Sequence, residues 1–315
     1  MELLSDGRHG AGPAAGGVVA GRFRLVEELG SGTFAEVWRA VDEGLGVASD
    51  RVVVLKMFRP VQRPDGASWP EFRSEVAAAL HVRDRSRSLL ATAALRITRG
   101  DGRAAPALVL PDVGGLNLAH WLLSEPPPRP ETVADRFRVL GDVLAALAGV
   151  HDSGAAHRDV GFGNIIVGAA DGLRAWLTDF GACQIGDSSS EEVDAEAPGL
   201  RPLQPPPYGR GLPVGAEMGR DLYAFATVAT MTLTGRHPLT DRWTELQDGV
   251  WRGATDPHRT LPRRPLRTLA PWLIADPRLH RLETLLGHCL NSDPSARPRS
   301  AAAVLAAWPT STGSR

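Results

Sequence analysis

From Phe23 onward, apolar residues alternate with polar ones, at Phe23, Leu25, Val26 and then Leu29. That spacing reads as a strand running into Gly30-Ser31-Gly32. Phe34, Val37 and Trp38 suggest a second strand, and Arg51–Phe58 a third. Ser68-Trp69-Pro70-Glu71 has the form of a helix start: Ser68 can cap, Glu71 stands three residues on, and Pro70 is tolerated in the first turn. The helix that follows carries Phe72, Val76, Ala79 and Leu80 at helical spacing. Two short strands are expected near Leu95–Thr98 and Ala107–Leu110. The first part of the chain is thus a small sheet with one helix.

The pattern then changes period. Pro126-Pro127-Pro128 is a loop, and beyond it Thr132–His151 is an amphipathic helix with Phe137, Leu140, Val143, Leu144, Leu147 and Val150 on its apolar side. Short strands are expected near Ile165–Val167 and Ala175–Thr178. The rest reads as helical with proline-rich breaks. Residues 1–20, rich in Gly, Ala and Pro, read as a disordered tail. The coarse result is an α+β fold, a β-rich part followed by a helical part, without internal repeats.

Composition narrows the classes. The 315 residues carry a formal net charge of −1, so no overall basic field points to nucleic acid or to an anionic membrane. Leu222–Leu233, the best apolar run, falls short of the roughly 18 to 20 residues that cross a bilayer, so no membrane insertion is expected. The N-terminus has Asp6 and Arg8 and no apolar core of a secretory signal. Cys183 and Cys289 are far apart in sequence, which fits a reducing, cytoplasmic setting better than a disulfide framework. Lys56 is the only lysine among 35 Lys and Arg residues. In a chain that uses arginine wherever a plain positive charge suffices, a lysine marks a place where a compact ammonium is needed, with chance survival of one lysine as the competing reading.

Four segments carry chemistry. Leu29-Gly30-Ser31-Gly32-Thr33-Phe34-Ala35-Glu36-Val37 is a glycine-rich hairpin, whose backbone N–H groups can approach phosphates closely. An ordinary hairpin turn is the competing reading. Val53-Val54-Leu55-Lys56 places one cation on an apolar strand, which is costly without a carboxylate partner. Glu75 on the next helix is favoured as that partner over Glu71, whose position suits the cap. His157-Arg158-Asp159-Val160-Gly161-Phe162-Gly163-Asn164 and Asp179-Phe180-Gly181 complete the set. Asn164 and Asp179 offer hard oxygens suited to Mg²⁺, and Asp159 an acceptor for a hydroxyl proton.

These motifs, in this order, resemble the bacterial eukaryotic-like (Hanks-type) serine/threonine protein kinases from about Phe23 to Trp308. The resemblance implies a bilobal kinase domain over 21–308, with an N-lobe over about 21–110, a hinge at 111–115, a C-lobe over about 116–308 and a tail at 309–315. It implies that ATP and Mg²⁺ (or Mn²⁺) serve as cofactors and that the γ-phosphate goes to Ser or Thr of a protein substrate. Gly30, Ser31 and Gly32 would cover the phosphates. Lys56 would hold the α and β phosphates and pair with Glu75, and Asp159, preceded by Arg158, would act as base. Asn164 and Asp179 would bind the metal. Leu29, Val37, Val54, Leu110, Ile166 and Thr178 would surround the nucleotide, with Asp112 and Val113 at the hinge. Asp221-Leu222-Tyr223 resembles the start of the family's buried helix, Gly235-Arg236-His237-Pro238-Leu239 its terminal turn, and Asp293-Pro294 with Arg297-Pro298 the closing motif.

Departures from the family pattern bear on activity. Gly161 stands where these kinases usually carry a lysine that steadies the γ-phosphate, and Ala35 replaces a third loop glycine. Pro205-Pro206-Pro207 stands near where the family has Ala-Pro-Glu, so no Glu is expected there for Arg297, and Glu217 lies too close to Asp221 to replace it simply. A pseudokinase that binds nucleotide or a partner, and a kinase for a peptide or small-molecule precursor, are the alternatives. Ser188, Ser189 and Ser190 are candidate autophosphorylation sites whose phosphate Arg158 would bind; a solvated loop is the competing reading. Cys183 is either a reactive thiol or a packed small residue.

Overall fold

A computed structural model of the chain describes residues 14–32, 34–44, 51–59, 69–98, 102–169, 172–187, 203, 213–239 and 263–309. Thr33, Ser68, Ser188–Ser190 and Pro205–Pro207 lie outside them, as do residues 1–13 of the expected tail. The chain divides into two compact units, one of residues 1–80 and 89–113, the other of residues 81–88 and 114–315.

The first unit is a six-stranded antiparallel sheet in the order β1-β2-β3-β4-β6-β5. Its strands are β1 (Val18–Val19), β2 (Phe23–Ser31), β3 (Ala35–Asp42), β4 (Arg51–Phe58), β5 (Ala93–Thr98) and β6 (Ala104–Pro111). The two-residue period of a strand sorts the side chains. Val53, Leu55 and Met57 of β4 join Phe23, Leu25, Trp38, Leu95, Ile97 and Val109 in one apolar layer. Phe58 of β4 faces the other way, with Leu108 and Leu110, against Phe72 and Val76 of the helix α1 (Pro70–His81). Phe58 and Phe72 meet edge to face at 5.5 Å. Lys56 shares that face by the same alternation, which turns it toward the helix.

Three expectations need correction here. Residues 14–20 are not all tail, because β1 pairs with β2 and Gly16 N–H donates to Leu25 O at 2.8 Å. Leu80 is 78% exposed rather than on the apolar face, since a residue eight places after Phe72 lies about 80° away round a 3.6-residue helix. Residues 81–88 belong to the second unit rather than to a continuous 21–110 body. There His81 Nε2 meets Ser153 O, Arg83 N–H donates to Ser153 Oγ, and Arg87 pairs with Asp142.

The second unit centres on two buried helices, α3 (Val133–Asp152) and α4 (Val214–Thr234). Short elements surround them: β7 (Leu116–Asn117), α2 (Leu118–Ser124), β8 (Ala155–Ala156), β9 (Ile165–Gly168), β10 (Arg174–Leu177) and β11 (Gln184–Ile185). Asn117 caps α2 by accepting from His120 N–H. The sheets are β10-β9-β7 and β11-β8. The α4 helix begins seven residues before Asp221, so that residue lies inside it rather than at its start. It ends at Gly235, whose φ of +70° in the left-handed region closes the last turn. The chain continues through α5 (Leu266–Leu269), α6 (Leu279–Cys289) and α7 (Ala301–Ala307). Among the described residues, no helix is long and apolar enough to cross a membrane.

Trp308, just past α7, ties the two central helices together. Its ring packs against Phe137 of α3 and Phe225 of α4, and its Nε1–H donates to Phe137 O at 3.2 Å. Replacing Trp308 with Ala removes buried area from both contacts and is expected to cost about 3–5 kcal/mol in urea unfolding. Leu123→Ala, at a position 83% exposed, should stay within about 0.5 kcal/mol.

Candidate active site

In the first unit the strand register lines up four positions. Gly30 stands opposite Val37, Val37 opposite Lys56, and Lys56 opposite Leu108. Val54 stands opposite Leu110. The glycine-rich turn, the lysine and its apolar neighbours are therefore one cross-strand row with a second beside it. Lys56 Nζ lies 2.5 Å from Glu75 Oε1 on α1, and both side chains are buried. Removing one partner of such a pair strands a buried charge, which typically costs several kcal/mol. Leu29 and Ser31 end β2, with Leu29 exposed. The Asp112 carboxylate, at the end of this unit beside Val113, accepts from Arg39 Nε at 2.6 Å, so its side chain serves the sheet.

In the second unit the loop after β8 carries the candidate chemistry, and Asp221 of α4 holds it. The Asp221 carboxylate accepts from His157 N–H at 2.8 Å and from Arg158 N–H at 2.7 Å. It also lies 3.1 Å from His151 Nε2. His151 Nδ1 accepts from Ala301 N–H, so Nε2 carries the proton and donates to Asp221. Arg158 sits at φ +69°, a conformation that costs a non-glycine residue about 1–3 kcal/mol, and the bond from its N–H to Asp221 offsets that strain.

His157 links this loop to the next motif. Its Nδ1 accepts from Asp159 N–H, so its Nε2–H donates to Thr178 O at 3.0 Å. Its ring packs edge-on against Phe180 at 4.7 Å. Asn164 donates both amide hydrogens to Asp159, to the backbone O at 2.9 Å and to Oδ2 at 2.8 Å. The carboxylate of Asp159 is thereby aimed, and the Asn164 side-chain oxygen is left as the atom able to meet a cation. Thr178 N–H donates to Asn164 O, and Asp179 follows at φ +63° with Oδ1 accepting from Gly181 N–H. Ile166 lies on β9, half-buried and opposite Trp176.

Among the described residues no group of three His, Cys, Asp or Glu could hold a metal ion. Mg²⁺ at a nucleotide does not need one, since it is commonly held by one or two protein oxygens plus phosphates and water. The oxygens of Asn164 and Asp179 fit that donor set.

Arg158 lies beside a carboxylate of α4. Its guanidinium is buried, with Nε 3.7 Å from Glu217 Oε2, and Arg220 donates to Oε1 of the same carboxylate at 3.3 Å. The proposed phosphate partners Ser188–Ser190 lie outside the described residues, whereas a carboxylate of α4 is already beside this guanidinium. Glu217, passed over in sequence as too close to Asp221, thus takes a place that only the fold reveals. Arg297, whose partner the sequence left open, donates to Asn291 O at 2.8 Å and Gly219 O at 3.2 Å and lies over the Tyr223 ring. At Gly161 the backbone is extended, and an added Cβ would make only ordinary contact with Leu203 at 3.5 Å. No backbone demand explains this glycine.

Residues 23–308 match the family described as protein kinase domain. A probable serine/threonine-protein kinase PknB of Corynebacterium glutamicum is 31% identical over 70% of this chain and 33% of its own length. The serine/threonine-protein kinase pkn2 of Myxococcus xanthus is 28% identical over 90% of this chain and 32% of its own. The crystal structure of a double mutant of the Mycobacterium tuberculosis PknI kinase domain superposes with a TM-score of 0.61 at 21% identity, covering 95% of this chain and 98% of that one. That likeness shows the fold. The chain belongs to the protein kinase domain family and spans about a third of the length of the two relatives.

Two outcomes follow from the electrostatics of the second unit. Burial pushes the thiols of Cys183 and Cys289 up to about 12. Ellman's reagent at pH 8 should leave both unreacted in the folded protein and titrate both after unfolding, which decides for a packed rather than a reactive Cys183. Burial also raises Glu217 above the usual carboxylate value of 4.5, with Arg220 and Arg158 opposing. A raised folded value means the protonated form stabilises the fold below 4.5, and that contribution is lost as pH rises through the folded value. Glu217→Gln, which mimics the protonated form, should therefore gain stability relative to the native chain between pH 4 and 8. A pH-independent difference in urea midpoints would refute this.

Proposed function

We propose that the protein is an ATP-dependent serine/threonine protein kinase acting on protein substrates in the cytoplasm. The observation that carries this reading is the aimed carboxylate of Asp159, oriented by Asn164 on a loop that Asp221 holds. Asp159 would accept the proton of a Ser or Thr hydroxyl as its oxygen attacks the γ-phosphorus, the bond to the β–γ bridging oxygen breaks, and ADP leaves. Lys56, held by Glu75, would bind the α and β phosphates, and the backbone of Gly30 to Gly32 would lie over them. Leu29, Val37, Val54, Leu110, Ile166 and Thr178 would surround the nucleotide, with the backbone of Asp112 and Val113 offered to the adenine edge. Asn164 and Asp179 would hold Mg²⁺, or Mn²⁺ in its place, which when bound neutralises phosphate charge.

Gly161 removes one cation from this arrangement, so transfer depends more heavily on Lys56. The test is incubation of the purified protein with labelled ATP and Mg²⁺ beside Lys56→Met and Asp159→Asn. Label should enter the native chain or an added protein and fall by at least about a hundredfold in each variant. Binding of ATP without transfer in the native chain would favour a pseudokinase. Phosphosite mapping of the same sample reports whether Ser188, Ser189 or Ser190 is modified.

A further inference from the structure

Arg59 follows β4, three residues past Lys56, and makes a set of contacts that phosphoryl transfer by itself does not require. Its backbone N–H donates to Phe34 O at 2.8 Å. Its guanidinium donates through Nη1 to Gly32 O at 2.8 Å, through Nη2 to Ser31 Oγ at 2.5 Å and through Nε to Glu36 Oε1 at 3.0 Å. One planar group therefore holds both strands of the glycine-rich hairpin, Ser31 and Gly32 on the outgoing side and Glu36 on the returning side. Gly32 N–H closes the hairpin onto Ala35 O at 2.9 Å.

We propose that Arg59 is a positioning residue that clamps the glycine-rich turn and sets Ser31 as a hydrogen-bond donor to a nucleotide phosphate. A hydroxyl has one hydrogen and two lone pairs. With Arg59 donating into the oxygen, the Ser31 hydrogen points elsewhere, and an ionised phosphate oxygen can accept it. Glu36 balances the guanidinium charge, so Arg59 acts through geometry rather than as a second bare cation in place of the lysine missing at Gly161. The fork geometry is the requirement. Lysine carries the charge but is a point donor on a flexible stem and cannot span Ser31, Gly32 and Glu36 together. The phosphate half of the proposal rests on the kinase reading; the clamp itself does not.

The experiment compares Arg59→Ala, Arg59→Lys and Ser31→Ala with the native chain in two measurements. The first is amide exchange of Gly32 by NMR without nucleotide. The second is the affinity for ATP with Mg²⁺ by calorimetry, together with KM and kcat where transfer occurs. Both Arg59 variants should speed Gly32 exchange and weaken ATP binding about tenfold, the loss of one charge-assisted hydrogen bond. Ser31→Ala should weaken ATP binding similarly, with the effect in KM rather than kcat. Failure of Arg59→Lys to restore affinity supports the fork; full rescue by lysine overturns it. Unchanged Gly32 exchange in Arg59→Ala overturns the clamp, and faster exchange with unchanged ATP affinity overturns the phosphate donor. A native chain that binds ATP but transfers nothing would refute the kinase reading while these binding outcomes still judge Arg59.

Discussion

A single buried carboxylate organises the loop that carries the candidate chemistry. Asp221 stands within α4, buried, and would be expensive there without donors. It takes three: two successive backbone N–H groups of the loop at His157 and Arg158, and the imidazole of His151 at the end of α3. Through His151 the network continues to the first residue of α7, and through His157 to Thr178 and Phe180. The left-handed backbone at Arg158 is tolerable only because that network fixes both of its neighbours. Asp159, one residue on, inherits its place from this network.

The first unit reaches its chemistry by a simpler route. A strand presents alternate residues to opposite faces, so a cation among Val54 and Phe58 must face whatever covers that side of the sheet. Helix α1 covers it, and Glu75 is the carboxylate that meets Lys56. Register does the rest by setting Gly30, Val37 and Lys56 across adjacent strands. The cost of an unpaired ammonium in that layer also makes α1 and β4 interdependent, since neither can shift without stranding a charge.

Much of this is legible in the chain itself, because the informative residues are close together. His157 to Asn164 spans one short loop, and the Asn164–Asp159 contact is a five-residue relation. β4 runs over the same Arg51–Phe58 that alternation marks, and α3 differs by one residue at each end. The short strands β7, β8 and β11 gave no signal, since two residues carry no period. The early strand at Val18–Val19 was hidden by its Gly- and Ala-rich surroundings, and it forms because β2 offers it a free edge.

Sequence by itself determined the order of the main elements and the family, and it named the charged residues proposed for the chemistry. Those follow from local period and from motifs whose members are neighbours in the chain. Only the tertiary structure decided which arginine does what. Among 34 arginines no pattern separates Arg59, bonded to Ser31 across 28 residues, from Arg158, beside Glu217, or Arg39, beside Asp112. A guanidinium can reach a carboxylate anywhere the fold brings one within a few ångströms, and sequence spacing does not encode that distance. The same reason explains Lys56: its uniqueness could be counted from the chain, but its partner was settled by the helix that packs on its strand.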